Sequence, residues 1–281
     1  MLTVAYLGPE KTNTHLAALK RFGHRADYLH TATIELVFHL VERREADYGV
    51  VPVENSLEGA VTHTLDRFID FIDTPVRIHG EIEQPIKHSL IIHPGVKLSD
   101  IRTVYSHPQA LAQCFQWLDN HVRNVTFWET RSTAEAVNCL MKRKGIFADR
   151  PKRQRAAIAR EELARKYNLQ AIPIIEKREN KTRFLILGLN EPPKGRRNKT
   201  AILFALKDRP GALHDALMPF KRNRINLTKI ESRPSKRKAW EYLFFIDVEG
   251  HESEPRVKRA LTTLRRSTSL LRVLGSYPVA R

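Results

Sequence analysis

A hydroxyl and a guanidinium stand side by side at the head of an apolar run in Asn180-Lys181-Thr182-Arg183-Phe184, part of the segment IIEKRENKTRFLILGL. If this run is a strand, alternation puts Thr182 and Phe184 on one side and Arg183 on the other. Arginine is the usual bidentate partner of a carboxylate, so Arg183 either holds a substrate carboxylate or pairs with an acid of its own domain. The segment VPVENSLEG brings Glu54, Asn55 and Ser56 together, a carboxylate followed by two neutral donors. Glu54 reads as a cap or hinge carboxylate or, if burial raises its pKa, as a protonated general acid. Ser106, His107, Gln109 and Gln113 in SHPQALAQ add further polar groups. A histidine before proline at a helix start serves either as a cap or as a ligand for substrate. Ser132 and Thr133 can cap a helix and offer hydroxyls to a carboxylate at once. No GxGxxG, Walker loop, HExxH or metal-spaced histidine cluster is present, so the chemistry is expected to need no cofactor and no metal.

The elements that must position these groups follow from periodicity. Over the first 190 residues, strand-forming runs at Thr3 to Leu7, Tyr48 to Val51, Val76 to Glu83, His88 to Ile92, Thr103 to Ser106, Val125 to Trp128, Gly145 to Ala148, Ala171 to Ile175 and Arg183 to Leu189 alternate with amphipathic helices. The helices are expected at Ile34 to Arg44, Pro108 to Leu118, Thr133 to Lys144 and Gln154 to Tyr167. Residues 191–199, rich in proline, glycine and charge, read as a linker. Beyond it the order is strand (Thr200 to Leu206), helix (Ala212 to Lys221), strand (Asn226 to Arg233), strand (Trp240 to Val248), helix (Glu254 to Ser267) and strand (Leu270 to Tyr277). That βαββαβ order is the ferredoxin-like split unit.

Length and composition agree with two soluble domains. The 281 residues are 42% hydrophobic, enough for more than one core. Two cysteines give no disulfide framework, and no apolar run reaches membrane-spanning length, so a cytoplasmic protein without a membrane partner is expected. The formal charge of +17 is concentrated after residue 190, in runs without interleaved aromatics. It is therefore read as solvated surface, able to steer an anionic substrate, and not as a nucleic-acid interface.

Five segments of the first domain resemble prephenate dehydratases: GPEKTNTHLAAL at Gly8 to Leu19, ADYGVVPVENSLEGAV at Ala46 to Val61, VYSHPQALAQC at Val104 to Cys114, STAEA at Ser132 to Ala136 and ENKTRFLILG at Glu179 to Gly188. The C-terminal part resembles an ACT domain through Gly211-Ala212-Leu213, Asn226-Leu227-Thr228 and Glu231-Ser232-Arg233-Pro234. The resemblance implies a two-lobed, periplasmic-binding-protein-like α/β catalytic domain over 1–190, with one lobe at 1–78 and 158–190 and the other at 79–157, then a linker at 191–199 and a ferredoxin-like ACT domain over 200–281. The active site is expected in the cleft of the two lobes.

The implied reaction is decarboxylation and dehydration of prephenate to phenylpyruvate, without cofactor, in phenylalanine biosynthesis. Thr182, Glu54, Asn55, Ser106 and Gln113 are the implied catalytic set, and Thr12, Ser56, His107, Gln109, Ser132, Thr133, Arg183 and Phe184 the implied substrate contacts. Threonine is far too weak an acid to give up a free proton near neutrality, so Thr182 is expected to hydrogen-bond or relay a proton to the departing oxygen. Gly211, Ala212, Leu213, Asn226, Glu231, Ser232, Arg233 and Pro234 are the implied phenylalanine-binding residues, and feedback control and a homodimer or homotetramer follow by the same analogy. Alternatively Gly211 is only a turn, and Glu231 and Arg233 are an intrastrand surface pair. The resemblance departs at Lys11 and Arg224, where glycine is usual, at Asn13 and Thr14, and at Lys177. No fused mutase domain is expected, since the dehydratase pattern starts at residue 3. Arogenate dehydration is the near alternative, and a non-catalytic two-lobed sensor the distant one.

Overall fold

The computed structural model describes residues 1–141, 151–175, 179–235 and 241–280. The expected strand at Gly145 to Ala148 and the Lys177 departure lie outside them, as do the end of the helix expected to reach Lys144 and the start of the strand expected from Trp240. The chain divides into two compact units, one of residues 1–84 with 181–281 and one of residues 85–180.

The first unit opens with β1 (Thr3–Leu7), α1 (Asn13–Phe22), β2 (Asp27–Thr31), α2 (Ile34–Glu42), β3 (Tyr48–Asn55), β4 (Gly59–Ala60), α3 (Thr62–Asp70) and β5 (Arg77–Pro85). The second unit contains β6 (Ser89–Ile92), β7 (Thr103–Ser106), α4 (Pro108–His121), β8 (Thr126–Glu129), α5 (Thr133–Met141), β9 (Arg155–Ala159), α6 (Glu161–Lys166) and β10 (Gln170–Pro173). The chain returns to the first unit with β11 (Lys181–Gly188) and ends in β12 (Asn198–Leu206), α7 (Ala212–Arg222), β13 (Leu227–Pro234), β14 (Tyr242–Glu249), α8 (Pro255–Ser267) and β15 (Thr268–Pro278).

The first sheet runs β2-β1-β3-β11-β5, with β4 on β3, and the second runs β10-β6-β9-β7-β8. The third, β13-β14-β12-β15, has the ferredoxin-like strand order. Strand β1 pairs parallel with β2 and β3, whereas β11 runs antiparallel to β3 and sets Thr182 opposite Asn55 and Arg183 opposite Glu54.

Three expectations differ from the structure here. The helix expected over 154–167 is instead the strand β9 followed by the short helix α6. Every residue of Ala156–Ala159 is 0% exposed, because β9 lies between β6 and β7. Small side chains fit that position, and burial overrides the helical preference of alanine. The lobe boundaries expected near 78 and 158 differ too: β5 stays in the first sheet and β9 and β10 in the second, so the chain leaves the first unit after Gln84 and returns at Lys181. The expected linker also ends early, since Asn198 and Lys199 already pair with Pro278 and Tyr277.

Within the first unit, one apolar core joins the α/β sheet to the βαββαβ sheet. Val53, Leu65, Phe68 and Leu185 pack with Leu203, Leu243, Phe245 and Leu274. Fully burying such a side chain contributes about 1.5–3 kcal/mol. The opposite face of the third sheet is covered by α7 and α8 through Phe204, Ile246, Phe220 and Leu264. Arg272 of β15 reaches the other way and donates to the carbonyls of Phe71, Ile72, Thr74 and Val76. These are groups at and just beyond the end of α3, where helical carbonyls lack partners.

Gly275 makes this approach sterically feasible, since a Cβ there would lie 2.1 Å from the Ile78 carbonyl oxygen. Gly275→Ala must therefore separate β15 from β5 or distort one of them. Urea unfolding should show a loss at or above the roughly 1–3 kcal/mol typical of overpacking. An unchanged midpoint would show that the two sheets yield freely at this point.

Candidate active site

Thr182 heads β11, and the register places its side chain next to Asn55 at the end of β3. The Asn55 amide Nδ2 donates to Thr182 Oγ1 at 3.0 Å, and its Oδ1 accepts from the Leu57 and Glu58 amides at 2.9 and 3.2 Å. With its oxygen occupied as an acceptor, Thr182 has its own proton to direct at a substrate oxygen. Ser56 is drawn into the backbone: its Oγ accepts from the Lys181 amide at 3.0 Å, and its own amide donates to the Lys181 carbonyl at 2.8 Å. Two adjacent backbone ends are thereby held around the Asn55–Thr182 pair.

Arg183 points into the protein. Its guanidinium is bonded to Glu54 at 2.5 Å, to Asp247 at 2.8 Å and to Glu81 at 3.2 Å. Glu81 also receives Lys199 at 3.0 Å, and Glu54 lies 3.6 Å from Lys229 Nζ. Of the two readings of Arg183, the pairing with acids of its own unit is the observed one, and substrate contact is corrected. Burial works against the Arg183 charge, but the carboxylates of Asp247 and Glu81 overcome it and hold the group firmly protonated. Glu54 as a general acid is corrected as well. Burial pushes its carboxyl up, yet Lys229 and Arg183 outweigh burial and hold it below its ordinary value, so it is a carboxylate.

Phe184 lies on the face opposite Arg183, as alternation requires, but its ring is buried. A register irregularity falls between Arg183 and Phe184, and the ring is 1% exposed in a core with Val4, Tyr6 and Ile82. Its expected substrate contact is corrected. Thr12 is the cap of α1, accepting from the His15 amide at 3.3 Å. Lys11 before it has φ 66°, as does Arg224 with φ 54°, so both non-glycine departures occupy the left-handed conformation that glycine adopts without cost.

In the second unit, Ser106 is 0% exposed and donates to the Ile158 carbonyl at 2.8 Å. It fastens β7 to β9, which corrects its expected catalytic role. His107 caps α4 by accepting from the Gln109 amide at 3.3 Å, and Gln109 is exposed on the first turn. Ser132 accepts from the Glu135 amide at 3.1 Å at the start of α5, with Thr133 following it. Gln113 Oε1 accepts from Asn180 Nδ2 and faces His88 Nε2, both at 2.9 Å. His88 was missed from sequence. A histidine heading an apolar strand, 6% exposed here, is the signal that could have found it.

Also missed were Glu81, Lys199, Lys229 and Asp247, although an acid inside the apolar run FFIDV is a legible sign of buried pairing. In the third sheet, Gly211 has φ 76° at the start of α7 and opens a cavity of about 720 Å³. Ala212 and Leu213 line it with Leu206, Tyr242 and Phe244. Asn226, Glu231, Ser232 and Pro234 are not in its lining; the last three lie on the edge strand β13, and Asn226 just precedes it. Arg233 is committed to Asp66 of α3 at 3.0 Å, so the expected Glu231–Arg233 surface pair does not describe it.

An α/β protein with a half-buried hydroxyl held by an amide, and a ferredoxin-like sheet packed behind it, is a small-molecule enzyme with an attached ligand-sensing module. The comparisons give the family. The prephenate dehydratase family model matches residues 4–192 and the ACT domain model residues 200–266. A bifunctional chorismate mutase/prephenate dehydratase of Aquifex aeolicus (strain VF5) is 45% identical over 281 residues, covering 99% of this chain and 74% of that protein. The crystal structure of prephenate dehydratase in complex with L-Phe from Arthrobacter aurescens superposes with a TM-score of 0.86 at 34% identity, covering 100% of this chain and 90% of that one. A structure described as "GqqA- a novel type of quorum quenching acylases" superposes at 0.80 with 26% identity, covering 99% and 97%. The chain belongs to the prephenate dehydratase family.

Two outcomes follow for this site. The Glu54 pairing contributes stability that is present above the ordinary carboxylate pKa and lost as pH falls through the lowered folded value, below about pH 4.5. Urea midpoints of wild type and Glu54→Gln should converge as the pH is taken from about 7 to about 3.5; a gap that persists in acid would contradict the pairing. Lys11→Gly should raise stability by up to about 1 kcal/mol by removing left-handed strain, less the entropy of glycine. A loss of stability would mean that the Lys11 side chain holds the turn.

Proposed function

We propose that this chain converts prephenate to phenylpyruvate, with Thr182 as the group at the departing oxygen. The observation that carries this reading is the Asn55–Thr182 hydrogen bond, in which Thr182 Oγ1 accepts and so keeps its own proton for another acceptor. In the reaction the electrons of the ring carbon–carboxylate bond move into the ring as carbon dioxide leaves. The bond from C4 to its hydroxyl breaks at the other end, and the departing hydroxide takes up a proton to become water. Aromatisation provides the driving force, so the protein has to orient the dianion and stabilise a developing charge on oxygen. Thr182 is proposed to give that hydrogen bond, and Gln113, bonded to His88 and Asn180, keeps the donor role that the family resemblance implies. Ser132, Thr133, Gln109 and the cap of α1 at Thr12 are proposed as contacts for the carboxylates.

We further infer that L-phenylalanine regulates the chain. The cavity at Gly211 pairs a helix N-terminus, with Lys207 and Arg209 in the same lining, for a carboxylate, with Leu206, Leu213, Tyr242 and Phe244 for a ring, and with Asp208 and Glu241 for an ammonium. Asn226, Glu231, Ser232 and Pro234 are proposed to complete that site from a neighbouring copy, in a cytoplasmic homodimer or homotetramer.

Phenylpyruvate formation from prephenate tests the reading directly, with arogenate assayed in parallel to separate the amino substrate. Thr182→Val should lower kcat by about 100-fold or more with little change in KM, the size of effect seen when one transition-state donor is removed. An inactive wild type would refute the enzyme reading, and an unimpaired Thr182→Val would refute the role of Thr182.

A further inference from the structure

The side chains next to the Asn55–Thr182 pair are held from the ACT sheet. Glu54 and Arg183 face each other in the antiparallel β3–β11 register at the pair adjacent to Asn55 and Thr182. They pair with each other, and each also takes a partner from the ACT sheet. Arg183 takes Asp247 from β14, Glu54 takes Lys229 from β13, and Glu81 takes Lys199 from β12. Three cations thus meet three anions, and three of the six groups belong to the ACT sheet.

We propose that Lys229 and Asp247 are positioning residues for the Asn55–Thr182 pair, acting through Glu54 and Arg183, and that this network carries the state of the ACT sheet to the catalytic threonine. The inference rests on the activity proposed above.

Three observations support it. Stability alone does not call for these charges, because Leu203, Leu243, Phe245 and Leu274 already supply an apolar contact across the same junction. A buried ion network is costly to desolvate and contributes little net stability, but it tolerates only one geometry. The groups are also buried where a small displacement matters: Glu81 has a side-chain exposure of 0%, Lys229 7% and Arg183 10%. Finally, Lys229 lies on β13 two residues before Glu231, and therefore on the same side of the strand, while Arg233, two residues further on, is tied to Asp66. A shift of the strand that bears the Glu231-Ser232-Arg233-Pro234 motif moves the Lys229 ammonium relative to Glu54. Taking Lys229 away leaves the network one positive charge short, and Arg183 must then redistribute among three carboxylates beside Thr182.

The test uses the full chain and four variants: Lys229→Met, Asp247→Asn, the conservative Lys229→Arg, and the charge-balanced pair Glu54→Gln with Lys229→Met. Circular dichroism and thermal melts establish folding, kcat and KM for prephenate are measured with and without L-phenylalanine, and binding of L-phenylalanine is followed by calorimetry. The expected result is a fall in kcat of about tenfold or more with KM within about twofold, partial rescue by Lys229→Arg, and L-phenylalanine that still binds while changing turnover less than in wild type. The balanced pair keeps the network neutral and so decides the matter if the single variants do not fold. Wild-type kcat and a wild-type response to L-phenylalanine in that folded pair would overturn the inference, as would a kcat that falls only in step with the folded fraction. An inactive wild type would instead overturn the activity on which it rests.

Discussion

Arg183 is the interaction on which the first unit turns. Its guanidinium meets Glu54 of β3, Glu81 of β5 and Asp247 of β14, so one side chain fastens three strands from two sheets. Its neighbours in sequence divide the remaining work. Thr182 stays at the end of the strand with Asn55, and Phe184 passes to the core on the opposite face of the sheet. Strand alternation sends Arg183 to the face of the ion network and Phe184 to the core on the other face. A cluster of this kind is held in place by mutual compensation: any one group left alone would be a buried charge without a partner.

The polar residues of the family motifs fall into two physical kinds. Ser106, Ser56, His107, Ser132 and Thr12 are spent on backbone groups, as caps of helices or clasps between strands. Buried or terminal amides and carbonyls need such partners, and a turn rich in helix starts needs many. Asn55, Thr182 and Gln113 also bond side chain to side chain, which orients particular atoms. The chemistry proposed for the chain draws on this second, smaller group. The first group makes its geometry reproducible.

Lys11 and Arg224 put a cost on this construction. Both hold positive φ beside features that matter, one at the cap of α1 and the other just before β13. The fold therefore determines these turns even where the residue does not favour them, because the flanking elements leave the chain no other path.

Much of the architecture was legible in the amino-acid order. Alternating and amphipathic patterns identified most strands and helices, the βαββαβ order identified the third sheet, and Gly211 and the Ser-His-Pro start of α4 announced their turn and cap, because these are local properties of a few residues. The sequence by itself also determined which side chains are available near residue 182. Only the tertiary structure decided what they do. The alanine-rich β9 became a strand because two neighbours enclosed it, Glu54 became a carboxylate because Lys229 and Arg183 arrived from 175 and 129 positions away, and Arg183 turned from substrate to Asp247. Ionisation and pairing depend on the dielectric and charge that distant segments bring to a point, and no local pattern encodes them.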